Sequence, residues 1–298
     1  SLLRDAVFLA AMVLAVIVGL TLALRPLSRL ARQTTDRSAD DLRPLPVQDL
    51  PSDIRPLVDA INQQLHRTEQ LMAEQRGFVD DASHQLRTPL AALKIQAQVA
   101  ARAGDEATRK HALEQVATGV DRMSHLVEQL LTLARLDPDA GQGAMDRFDL
   151  AELAEGVCSV LTPQALRRGQ TLALEAPASF ALSGNRWWLE VLLRNLVDNA
   201  LRYSPEGGRV VVSLDATARS LQVADDGPGI PPAERAQMLT RFARGSAVEA
   251  EGCGLGLSIV GRIAEITGAT LAFEDGLRRA DGGAGLAVVV RFAPDAAG

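Results

Sequence analysis

Cysteine is nearly absent from this chain: two in 298 residues, Cys158 and Cys253, far apart and in no CxxC pair. That scarcity excludes a disulfide framework and a cysteine-built zinc site, and it suits a reducing cytosol. Aromatic residues make up only 3% of the sequence. The core must therefore be built from Leu, Val, Ile and Ala. A basic excess is lacking too: 31 Lys and Arg stand against 37 Asp and Glu, for a net charge of −6. Such a balance leaves no electrostatic footprint for nucleic acid, and no nucleic-acid partner is expected. Metal-ligand spacing is also missing. His66, His111 and His125 have no His, Cys or acid at a chelating interval and read as solvated or structural.

One long apolar run is present. Ala6 to Leu24, AVFLAAMVLAVIVGLTLAL, is uncharged and long enough to cross a bilayer as a helix. Arg25, Arg29 and Arg32 follow it, which puts the C-terminal side in the cytoplasm. A signal peptide fits poorly, because the run is long, no small-residue cleavage site follows, and basic residues come after it. The chain opens on Ser1 rather than Met. The expectation is a fragment, with an earlier membrane helix and an outside sensor domain missing.

Residues 25–77 form a connecting segment. Pro26 starts it, a short amphipathic piece runs through Leu27 and Leu30, and Pro44, Pro46 and Pro51 mark a connector. Ile54, Val58, Ile61, Leu65, Thr68 and Met72 then alternate by fours and threes, the seam of a coiled coil. The seam continues through Val79, Ala82, Leu86 and Leu93. With Val79 at position a, His84 falls at f, the most exposed heptad position. Pro89 removes a helical hydrogen bond and is expected to kink the helix. After a turn at Ala103-Gly104-Asp105 a second seam runs through Val116, Val120, Met123, Val127, Leu130 and Ala134. One hairpin has a single apolar stripe to bury, so two are expected to pair as a four-helix bundle, making a homodimer.

Residues 138–147 read as a linker. Strands are expected at 170–175, 209–214, 221–224, 270–274 and 286–292, and helices at 150–168, 186–203 and 257–267. Helices on one face of a mixed sheet make an α+β sandwich.

Four motifs occur in order: Phe78-Val79-Asp80-Asp81-Ala82-Ser83-His84-Gln85-Leu86-Arg87-Thr88-Pro89-Leu90, then Asn195-Leu196-Val197-Asp198-Asn199-Ala200, then Asp225-Asp226-Gly227-Pro228-Gly229-Ile230, then Gly252-Cys253-Gly254-Leu255-Gly256-Leu257. Together they resemble the sensor histidine kinases of bacterial two-component systems, over nearly the whole chain. The resemblance implies a transmembrane helix (6–24), a HAMP-like relay (25–77), a dimerisation and phosphoacceptor domain (78–137) and a GHKL-type ATP-binding domain (148–298). It implies ATP and Mg²⁺ as cofactors, a response regulator's receiver domain as partner, and residence in the inner membrane with the catalytic part in the cytoplasm.

By that resemblance His84 is the phosphoacceptor. An ordinary imidazole is largely neutral at pH 7 and keeps a lone pair for attack on a phosphoryl group. The family usually has an acid at the next position; here it is Gln85. A Gln carbonyl can accept the other ring N–H and fix the tautomer, but cannot take the proton. Thr88, four residues beyond His84, would orient a water for dephosphorylating the partner. The segment from His84 to Ala91, with Gln96-Ala97, is similar to the tricarboxylate-transport sensor branch.

The nucleotide residues implied are as follows. Asn199 ligates Mg²⁺ and Asn195 supports it; four apart, both face one way on a helix. Arg202 meets the phosphates and Tyr203 packs on the nucleotide. Asp225 accepts the adenine amino hydrogen, and Gly227 and Gly229 let the backbone approach the base. Phe242 and Arg244 belong to a lid over residues 231–251. Gly252, Gly254, Leu255 and Gly256 open a helix whose N–H groups favour phosphate. Two other readings stay open: a GHKL ATPase, which has no use for an exposed histidine on a dimerising helix, and a scaffold without catalysis, which intact nucleotide motifs disfavour.

Overall fold

A computed structural model of the chain describes residues 41–47, 54–136, 146–243, 254–279 and 282–294, with scattered positions between 5 and 18. Among the described residues no helix is long and apolar enough to cross a membrane. Much of the expected span 6–24 lies outside them. The chain divides into two compact units, Ser1–His84 and Gln85–Gly298.

In the first unit the connector docks on the start of helix α1 (Arg55–Arg102). Asn62 accepts the Leu45 N–H at 2.6 Å and donates to the Leu45 carbonyl at 3.0 Å. Leu45 and Val58 are buried beside this pair of bonds. Ile61, an expected seam residue, is 39% exposed in the single chain, and Asn62 beside it lies inward against the connector. An extended connector needs partners for its backbone groups, and a carboxamide supplies both a donor and an acceptor where Ile supplies neither. Helix α1 continues through Pro89 without a break in its assignment.

The second unit begins with the end of α1 and with α2 (Glu106–Arg135), whose first turn is capped by Asp105 accepting the Thr108 N–H at 2.8 Å. Gly119 sits close against Leu93, within 2.6 Å of where a Cβ would lie. The inward line of α2 is Ala112, Leu126, Gln129, Leu130 and Leu133. Val120 and Val127, two of the expected seam residues, are 48% and 39% exposed in the single chain. They join Leu113 and Leu131 among the exposed apolar residues of α2. The sequence pattern merges two stripes, one for the hairpin partner and one left uncovered.

The remainder is an α+β sandwich. Its elements are β1 (Asp146–Asp149), α3 (Leu150–Arg167), β2 (Thr171–Glu175), β3 (Ala181–Gly184), α4 (Arg186–Tyr203), β4 (Arg209–Asp215) and β5 (Ser220–Asp225), then α5 (Pro232–Arg235) with a 3₁₀ turn, α6 (Gly256–Thr267), β6 (Thr270–Arg278) and β7 (Ala284–Arg291). Five strands run in the order β2-β4-β5-β7-β6. Only β2 and β4 are parallel; β5, β7 and β6 follow antiparallel. Strands β1 and β3, which no local pattern announced, form a separate antiparallel pair. β1 opens at Asp146, within the stretch read as linker.

Strand β4 alternates buried Val210, Val212 and Leu214 with less buried neighbours, the pattern of a strand with one face inward. Helix α4 packs against α3, α6, β4 and β5. Its buried residues Trp188, Leu189, Leu192, Leu193, Leu196, Val197, Ala200 and Leu201 recur at helical spacing. Asn185 caps its start through the Trp188 N–H. The last carbonyls of a helix lack intrahelical partners. Here Arg168 donates to the carbonyls of Leu201, Arg202 and Ser204. Buried Gln170 donates to those of Leu201, Ser204 and Pro205 at 2.9–3.0 Å. Gln170→Met keeps the bulk and removes the donor. It is expected to lower stability by about 1–3 kcal/mol, read as a lower urea midpoint with an unchanged slope.

Candidate functional site

The apolar face of α4 fixes its rotation, so Asn195, Asp198, Asn199 and Arg202 share the other, half-buried face. Asp198 is pinned from two sides. Gln164 of α3 donates to its Oδ1 at 3.0 Å, and Arg202 reaches Oδ2 at 3.1 Å. Asn195 donates to the Val191 carbonyl at 2.8 Å. Asn199 lies over the first turn of α6: a Cβ on Gly256 would fall 2.7 Å from its Nδ2 and 2.9 Å from its Oδ1. Glycine at 256 leaves the Asn199 carboxamide the position it occupies, which a Cβ would displace. The cap residue Leu255 makes no side-chain hydrogen bond to the first turn of α6, and among the described residues no side chain is seen to cap it.

Asp225 ends β5 and is buried, 6% exposed. Burial pushes its carboxyl up to about 6, against the N–H groups of Leu286 and Gly227, which pull it down; the charge of Asp226 adds to the rise. Both hydrogen bonds fall on Oδ1, from Gly227 at 2.8 Å and Leu286 at 3.2 Å. Three glycines press on this residue, Gly227, Gly276 and Gly285. A Cβ on Gly227 would meet the Tyr203 carbonyl at 2.8 Å and Asp225 Oδ1 at 2.9 Å, which ties the end of α4 to the end of β5. Gly229 has a φ of +72°. Gly276 and Gly285, which sequence reasoning did not single out, press on the Asp225 carbonyl from β6 and β7. Their signal was glycine inside a strand pattern, the mark of a close backbone approach.

Phe242 has a φ of +61°, a strained conformation for an aromatic residue. Its N–H donates to the Gly254 carbonyl at 2.9 Å. Leu255 is fully buried and can offer a ligand only its backbone. Arg244, Gly252 and most of the expected lid's second half lie outside the described residues. His84, Gln85 and Thr88 are exposed on α1.

His125 was read from sequence as solvated or structural, without a partner. It is not simply solvated. Its Nε2 lies 3.5 Å from the Arg202 guanidinium and 3.9 Å from Asp198 Oδ2. Burial lowers its pKa; Asp198 opposes that and Arg202 adds to it. One turn on, Gln129 donates to Asn195 Oδ1 across a long 3.5 Å. Contacts between residues this far apart in sequence leave no local pattern.

Residues 184–296 match the family of histidine kinase-, DNA gyrase B- and HSP90-like ATPases. Residues 74–139 match the His kinase A phosphoacceptor domain, and 24–70 match a PhoQ-like HAMP domain. The chain is 41% identical over 264 residues to the sensor protein QseC of Salmonella typhimurium, covering 88% of this chain and 58% of that protein. It is 33% identical over 248 residues to the sensor protein BasS of the same organism, covering 81% of this chain and 67% of that one. The solved structure of the Acinetobacter baumannii histidine kinase AdeS superposes with a TM-score of 0.54 at 25% identity, over 71% of this chain and 98% of that one. The chain thus spans little more than half the length of the QseC relative.

The burial of Asp225 has a pH signature. Its carboxyl titrates at about 6 when folded against 3.8 ordinarily. Between those values the folded state binds the extra proton, so folding is penalised as pH rises through that window. The displacement corresponds to about 3 kcal/mol at most. Asp225→Asn removes the charge. The variant is expected to melt higher than the parent at pH 7.5, with the gap closing as pH falls from 6 to 4. A gap independent of pH would refute burial as its origin.

Proposed function

Because this chain belongs to the bacterial sensor histidine kinases, we propose that it autophosphorylates His84 from ATP and passes the phosphoryl group to an aspartate of a response regulator. The observation that carries the reading is the half-buried polar face of α4, whose Asn199 meets the uncapped start of α6. That arrangement suits a triphosphate. N–H groups at a helix N-terminus favour anionic oxygens, and carboxamide oxygens suit a hard cation. Asn199, with Asn195 behind it, would hold Mg²⁺. When bound, the ion offsets phosphate charge. Arg202 would face the phosphates, while Phe242 and Arg244 would belong to the lid. Asp225 keeps Oδ2 free of hydrogen bonds among the described residues, which suits an amino donor such as that of adenine.

The chemistry asked of the chain is mostly positioning. A neutral ring nitrogen of His84 attacks the γ-phosphorus, the bond to the β–γ bridging oxygen breaks, and ADP leaves. Gln85 would accept the other ring N–H and hold the tautomer. A regulator carboxylate then takes the phosphoryl group and restores the imidazole. Thr88 would orient a water that hydrolyses the regulator's phosphate. Residues 6–24 would anchor the chain in the inner membrane, 25–77 would relay the signal as a HAMP segment, and 78–137 would pair with a second copy. The exposed line of Leu113, Val120, Val127 and Leu131 supports that pairing.

Incubation with γ-labelled ATP and Mg²⁺ tests the reading. Acid-labile, alkali-stable label is expected on the parent and not on His84→Ala or Asn199→Ala. Steady ATP hydrolysis without label would favour the ATPase instead. Val120→Glu, placed where charge is tolerated by a lone chain, is expected to halve the mass seen in sedimentation.

A further inference from the structure

Helices α2 and α4 meet through polar side chains, and those of α4 are the ones the proposed function gives to the nucleotide. Arg202 lies 3.5 Å from His125, and Asn195 accepts from Gln129 at 3.5 Å. Helix α2 also packs against α6, whose start lies under Asn199. We propose that His125 and Gln129 form an internal latch that competes with the nucleotide for Arg202 and Asn195. The inference rests on reading those two residues as nucleotide-binding.

The contact has the chemistry of an exchangeable hold. A guanidinium only donates, so the His125 Nε2 that faces it must accept, with the proton on Nδ1. The charged groups around the ring are Asp198, Arg202 and Arg194 of α4 and Glu128 of its own helix. Two cations and two anions nearly balance, and burial then favours the neutral ring that can accept. Both bonds are long; His125 and Arg202 are partly solvated, 38% and 28% exposed at the side chain, while Gln129 is buried. Contacts of this kind are weak, so a phosphate oxygen, a better acceptor than imidazole, can displace them. Asp198 is held by Gln164 through Oδ1 and meets Arg202 through Oδ2 at 3.1 Å, so Arg202 keeps a tie within α4 when it leaves His125.

Competition predicts a direction that a structural role does not. Removing the latch should tighten nucleotide binding, whereas loosening a supporting contact would weaken it. The test is titration of the whole chain with trinitrophenyl-ATP and Mg²⁺, comparing the parent with His125→Ala, Gln129→Ala and the double variant. The expected result is binding about two- to tenfold tighter in the variants, as for loss of one competing hydrogen bond. In the parent, saturating ATP should also raise amide exchange along residues 123–133. The two single variants guard against a packing defect, since Gln129 is buried and His125 is not. Equal or weaker binding in both overturns the latch and leaves the nucleotide site standing. No binding by parent or variants overturns the nucleotide site and the latch together.

Discussion

The burial of one stripe of α4 sets the position of its polar face, Asn195, Asp198, Asn199 and Arg202. Leu192, Leu193, Val197 and Leu201 are inaccessible to solvent, and each such side chain contributes on the order of 1.5–3 kcal/mol when withdrawn from water. Turning the helix by one residue would trade that burial for Asn195 and Asn199 facing the sheet, where a carboxamide without partners is costly. The polar face is therefore held by the apolar one. Arg168 and Gln170 hold the helix along its axis by binding its terminal carbonyls, and Gly256 lets α6 approach until Asn199 covers its first turn.

How far this could be read from sequence depends on the range of the interaction that made each element. Helix α4 was legible to the residue because a 3.6-residue pattern, an Asn185 cap and a break at Ser204-Pro205 are all local. Strands β4 and β5 followed from alternation. Strands β1 and β3 were not legible: each is four residues long, and each exists only because the other pairs with it across about thirty intervening residues. The second seam was legible as apolar but not as two faces. A heptad pattern does not say whether Val120 meets its own hairpin or another. His125 belongs with the strands, because nothing near it in sequence announces Arg202.

Some motif glycines have a role in the fold that the sequence could not supply. The glycine after Asp225 was expected to free the backbone for a ligand. In the fold it is needed already by the protein, since a Cβ there would strike the Tyr203 carbonyl and the Asp225 carboxylate. Gly254 is similar, pressed against Phe242 and Ala243. Close approach to a ligand and close approach between elements call for the same residue, so a glycine motif carries both meanings at once.

The departures from ordinary stability sort by place. Asp225 keeps a carboxyl where burial disfavours its charge, and Phe242 keeps a backbone angle that suits glycine. Both lie in the motifs that the family reading gives to the nucleotide, where local cost is retained when the geometry is needed. Cys158 provides the contrast. Burial pushes its thiol up to about 11, so it stays protonated near neutrality and is a poor nucleophile. It too is perturbed, yet desolvation is the cause, and among the described residues no charged or hydrogen-bonding side chain shares in the shift. A shifted group is informative when other interactions converge on it. Asp225, with two N–H donors and three glycines drawn around it, meets that condition, and Cys158 does not.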